Sequence, residues 1–161
     1  MKTITALTLG LLTFQVSATQ PLTAIDWQQS ISQVKQSQTN KLVDEQPRRL
    51  TYQSHLFGAE FEQEFLFNDD GALANVLYYQ SLSAQGDNCT SQYQHFKTSA
   101  VKELGETKTE TYGKGIDCKA ASIGTYKLYS QWTKENTQAT LKLDTWKGTP
   151  YIGLSLVPAT K

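Results

Sequence analysis

From Glu60 to Phe67 the chain alternates without a break: Phe61, Gln63, Phe65 and Phe67 fall on one side, and Glu60, Glu62 and Glu64 on the other. Successive side chains of a strand point to opposite faces, so this period of two specifies a half-buried antiparallel strand and excludes a helix. Asn68-Asp69-Asp70-Gly71 follows, a hairpin signal because Asp-Gly tolerates the positive φ of tight turns. Leu73–Leu82 then reads as the return strand. Upstream, Leu50, Tyr52, Ser54 and Leu56 carry the same period up to a bend at Gly58. Three further strand patterns occupy Thr125–Thr133, Thr137–Thr145 and Pro150–Val157, with turns at Lys134-Glu135-Asn136 and Lys147-Gly148. Thr, Tyr, Trp, Leu and Ile dominate them, as strands prefer.

Two segments change the period to that of a helix. Thr23 reads as an N-cap and Asp26 as a first-turn acid. Trp27, Ile31 and Val34 then share one face, and the helix is expected to end near 36–39. The second helix starts at Asp87 or Asn88. Tyr93, Phe96, Ala100, Val101 and Leu104 form its apolar stripe, Cys89 lies on the same face, and Gly105 ends it. Residues 39–49, with Pro47, read as a linker, and residues 106–123 as a polar loop. The expectation is an α+β fold with the order α-βββ-α-βββ: a curved antiparallel sheet of about six strands with two helices on one face.

The first eighteen residues read as an address. Met1-Lys2 is positive, residues 4–16 carry no charge, and Val16-Ser17-Ala18 fits a signal-peptidase site, with cleavage expected between Ala18 and Thr19. The run is too short for a transmembrane anchor. A single domain over 19–161, located in a bacterial periplasm or secreted, is expected. The two cysteines suit an oxidising compartment. Cys89 and Cys118 are expected to form a disulfide closing a loop of about 30 residues, worth roughly 3 kcal/mol.

Fifteen basic and fifteen acidic side chains cancel, which argues against a nucleic-acid footprint. No nucleophile elbow, zinc-ligand spacing or phosphate-cradling loop occurs, so no cofactor, no metal and no enzymatic activity are expected. His55 and His95 are the only neutral-pH bases, and both read as surface or half-buried polar residues. A glycosidase needs two carboxyls facing across a cleft, which a row on one strand does not provide. The sharper reading of Glu60, Glu62 and Glu64, with Asp69 and Asp70 of the turn, is an acidic docking stripe that speeds encounter with a basic partner. Tyr78 is expected beside it as an aromatic anchor. Trp132, Trp146, Tyr126, Tyr129 and Tyr151 gather in the last three strands. Most read as core, with carbohydrate stacking the lesser alternative.

A wider pattern runs through Asp26-Trp27, Phe65-Leu66-Phe67-Asn68-Asp69-Asp70-Gly71-Ala72-Leu73, the helix with Tyr93, Phe96 and Leu104, Thr145-Trp146, and Ile152-Gly153-Leu154-Ser155-Leu156. It resembles that of small exported bacterial proteins with β-lactamase-inhibitor-like or envelope-assembly folds, and of periplasmic immunity proteins of toxin systems. The chain departs from that pattern after the second helix, where Gly105-Glu106-Thr107 stands in place of Gly-x-Pro. The resemblance implies an inhibitor or immunity protein that binds and blocks a periplasmic, cell-wall-degrading enzyme or toxin. The other expectation is an envelope accessory protein holding a lipid or peptide on the concave sheet.

Overall fold

The computed structural model describes residues 22–86, 88–113 and 118–160. The expected signal sequence with its Ala18/Thr19 junction, and Asp87, lie outside the described residues. The elements in chain order are α1 (Ile31–Ser37), β1 (Leu42–Gln46), β2 (Arg49–Leu56), β3 (Ala59–Phe67), β4 (Leu73–Ser81), α2 (Cys89–Leu104), β5 (Lys108–Gly113), α3 (Cys118–Ser122), β6 (Tyr126–Lys134), β7 (Thr137–Trp146) and β8 (Thr149–Pro158). All eight strands join one antiparallel sheet in the order β1-β2-β3-β4-β8-β7-β6-β5. The fold is α+β, as the patterning predicts, but with eight strands instead of six and a third short helix. Each half of the sheet is a four-stranded meander, and the halves meet where β4 pairs with β8.

The inner face follows from the alternation. Leu50, Tyr52 and Leu56 of β2 align with Phe61 and Phe65 of β3, Val76 of β4, Leu154 and Leu156 of β8, Leu141 and Leu143 of β7, and Leu128 and Trp132 of β6. The helix α2 lies over this face and buries Cys89, Tyr93, Phe96, Ala100 and Leu104 of the expected stripe, while Val101 is half-buried at its margin. Phe96 meets Phe61 edge-on at 5.2 Å between ring centroids. The Tyr93 hydroxyl shares a 2.6 Å hydrogen bond with Ser130, and the Trp132 indole donates to the Gly105 carbonyl at 3.1 Å. These bonds satisfy buried polar groups that would otherwise cost about 1–3 kcal/mol each.

Three local expectations are corrected. The first helix begins at Ile31, not Thr23. Ser30 forms the cap, in a reciprocal capping box with Gln33. Ser30 is also bridged to Ala72, and the Leu73 amide donates to the Gln29 carbonyl, which holds this backbone extended. Asp26 caps its own turn through the Gln28 amide instead of a helix. Second, residues 39–49 hold the edge strand β1, which is exposed at every position. Third, the segment 106–123 holds the opposite edge strand β5 and the helix α3.

The expected disulfide is present. Cys89 at the start of α2 is bonded to Cys118 at the start of α3 with 5.2 Å between their Cα atoms, and both residues are buried. The bridge ties α3 to the helix that covers the inner face. No helix among the described residues is long and apolar enough to cross a membrane.

Candidate functional site

The outer face of the sheet carries the polar half of the alternation. Register alone places Gln53, Glu62 and Tyr79 side by side across β2, β3 and β4, with Thr51, Glu64 and Leu77 in the next row. Glu60 and Glu62 are exposed, and together with Gln53, Tyr79, Gln80, Ser81, Lys41 and Val43 they border an open groove of about 480 Å³. Val43 enters from the edge strand and is 54% exposed, an aliphatic contact beside the acids.

The three glutamates of the stripe differ. Glu60 stands beside His55, 3.7 Å from its Nε2, and both side chains are 71% exposed. Glu62 accepts a hydrogen bond from the Tyr79 hydroxyl. Burial, and then that carboxylate, hold the Tyr79 phenol well above its ordinary range. Glu64 turns toward Arg49, whose guanidinium reaches it at 3.5 Å and Asp44 at 2.9 Å. Burial raises the Glu64 carboxyl pKa, Arg49 opposes that rise, and Glu62 and Asp44 add to it. The hydrogen bond from Arg49 is the main cause of a lowered Asp44 pKa. Glu60 and Glu62 therefore present solvent-facing charge, while Glu64 joins a local ion network whose hub is Arg49.

Tyr78 does not stand beside the acids. It pairs with Gln63 on the inner face and accepts a 2.8 Å hydrogen bond from the Gln63 amide. Its neighbour Tyr79 occupies the expected position. Counting by twos from the buried Leu73 would put Tyr78 outside, but a bulge opposite Leu66 and Phe67 shifts the parity of β4 by one residue. Asp69 and Asp70 are exposed at the far end of the β3–β4 hairpin, where Arg48 pairs with Asp69. At about 3.4 Å per residue they lie on the order of 30 Å from Glu60, so the turn and the groove are separate places.

The hairpin turn itself is closed by Asn68. Its carbonyl accepts from Gly71, its side chain accepts from Ala72, and Gly71 alone takes a positive φ of 78°. His95 is exposed on α2, with its Nε2 3.4 Å from the Phe57 carbonyl and its ring edge-on to Phe96. Among the described residues, no group of three His, Cys, Asp or Glu is arranged to hold a metal.

The inner face leaves little room. Beside Leu22, Ile25, Phe65, Val76, Tyr78 and Leu156 there is a cavity of about 70 Å³, far below the few hundred Å³ of an ordinary ligand cleft. Among the described residues, α2 and the segment carrying Leu22 and Trp27 pack into the core on this face. Of the five aromatics singled out in the last strands, Tyr126 and Trp132 are core. Tyr129 and Tyr151 lie on the outer face, and Trp146 is 68% exposed beside the β7–β8 turn.

Comparison with known proteins finds no matching family model, no similar curated protein and no similar solved structure.

Proposed function

We propose that this chain is an exported, non-enzymatic binding protein that blocks a basic enzyme or toxin of the bacterial periplasm, using the outer face of β2, β3 and β4. The reading rests on one observation. Glu60 and Glu62 stand exposed along an open groove with Tyr79 and Val43, so solvent-facing negative charge adjoins aromatic and aliphatic contact area. Such a surface steers a cationic partner and then offers it something to pack against. The disulfide suits an oxidising compartment. The sequence resemblance to exported inhibitors and immunity proteins points to an enzyme, cell-wall-degrading for example, as the partner.

The test is kinetic. Proteins captured from periplasm by the mature chain are identified by mass spectrometry, and their association is timed with the wild type and with Glu60→Lys/Glu62→Lys. The double reversal should slow association by roughly tenfold at low salt, and the difference should shrink as salt screens it. Equal rates at low salt would remove this face from the mechanism. Turnover of an envelope compound that disappears in His55→Ala would replace the binding reading with an enzymatic one.

A further inference from the structure

The opposite half of the outer face holds a second groove, of about 540 Å³, bordered by β5 and β6. Its walls are Tyr112, 51% exposed, and Tyr129, whose rings stand nearly perpendicular at 82° with centroids 5.5 Å apart. The two rings meet edge to face, and both border the groove, so their planes stand at a corner. Gly113 and Gly124 leave part of the border without side chains. At Gly113 this bareness is enforced: its φ is 84°, and a Cβ there would come within 1.6 Å of the Thr125 carbonyl oxygen.

The charges around this groove are matched. Lys108 lies 2.5 Å from Glu110, which also accepts from the Tyr112 hydroxyl. Lys127 lies 2.8 Å from Asp144, which also accepts from the Tyr129 hydroxyl at 3.0 Å. Among the described residues each of these cations faces an anion, so together they give the groove little net field to attract an ionic ligand. What it offers is aromatic ring surface, the exposed amide of Gln131, and a fence of ammonium donors and carboxylate acceptors. An aliphatic ligand would leave that fence unmatched, and an anion would have to displace Glu110 or Asp144 from its lysine. An uncharged sugar suits both features, because its C–H faces lie on aromatic rings while its hydroxyls satisfy the fence.

We propose that the β5–β6 groove is a carbohydrate-binding site for an uncharged oligosaccharide strand, with Tyr112 and Tyr129 as the stacking corner. The site is independent of the acidic groove on the other half of the sheet.

The test is a two-dimensional amide NMR titration of the disulfide-intact protein with maltotriose, cellotriose and tri-N-acetylchitotriose in turn, at millimolar concentration. At least one should give saturable shifts confined to 108–112 and 126–131, and added salt should leave the affinity unchanged. Tyr112→Ala, at an exposed edge position that leaves the core intact, should weaken binding about tenfold while the remaining spectrum is preserved. Absence of saturable shifts with all three sugars would overturn the proposal. So would binding that salt abolishes, or binding that Tyr112→Ala leaves unchanged.

Discussion

Breaking the Cys89–Cys118 bridge should cost this protein a large part of its stability, and the size of the loss follows from where the bridge sits. The two cysteines are 29 residues apart in sequence. In the chain-entropy model, freeing a loop of that length gives the unfolded ensemble about 3.5 kcal/mol at 25 °C. The helix it anchors also packs against β6, β7 and β8, with Ala121 buried. α3 spans only Cys118–Ser122, too short to persist without tertiary support. Both sulfurs are buried, so Cys89→Ala/Cys118→Ala also leaves small voids, adding about 1 kcal/mol. Reduction of the wild type keeps the sulfur volume and isolates the cross-link. Urea unfolding, followed by tryptophan fluorescence, should therefore show the reduced protein about 3.5 kcal/mol below the oxidised one and the double variant slightly lower. The reduced protein should also have a larger m-value, because its unfolded state expands. Amide exchange should rise first in β5 and α3. A cost below about 1 kcal/mol on reduction would mean that packing alone fixes these residues, and the entropic argument would fail.

Three other perturbations test separate parts of the structure. Gly113→Ala forces a side chain into a left-handed position and onto the Thr125 carbonyl, and should lower stability by about 2–3 kcal/mol in the same urea assay. Lys147 holds a φ of 49° ahead of Gly148 in the two-residue β7–β8 turn, so Lys147→Asn should raise stability by about 0.5–1 kcal/mol, read as a higher Tm. Burial raises the Asp144 pKa, but hydrogen bonds from Lys127, the Thr145 amide and Tyr129 outweigh it and hold the pKa below the ordinary 3.8. The stability from that lowered pKa is present above about pH 4 and lost as pH falls through the folded value. Asp144→Asn should flatten this acid limb in urea titrations between about pH 5 and 2.

What could be read from the sequence was whatever imposes a period. The Phe61–Phe67 run, the Leu50–Leu56 run and the Tyr93–Leu104 stripe each have one wet and one dry side, and each lies where its pattern places it. The edge strands β1 and β5 left no such mark. β1 is wet on both sides, and β5 is exposed at all but one position, so their strand character comes from main-chain pairing with β2 and β6. The start of α1 was misplaced because Trp27, Ile31 and Val34 have helical spacing, yet Gln29 and Ser30 are captured by β4, a contact no local pattern encodes. The acidic row was visible and its aromatic neighbour was off by one residue, since a bulge resets strand parity without a signature in composition. Tyr112 carries no such period either, because it lies on β5 within the polar segment 106–123.

Among the described residues, β8 comes last in sequence and yet lies in the middle of the sheet. It pairs with β4 on one side and β7 on the other, so the two meanders have no shared edge without it. A polypeptide still being synthesised short of residue 149 holds two half-sheets that cannot yet be joined. Completion waits for the final ten-residue strand, Thr149–Pro158, to slot between them. Such an ordering delays closure of the eight-stranded sheet until residues 149–158 can pair on both of their edges.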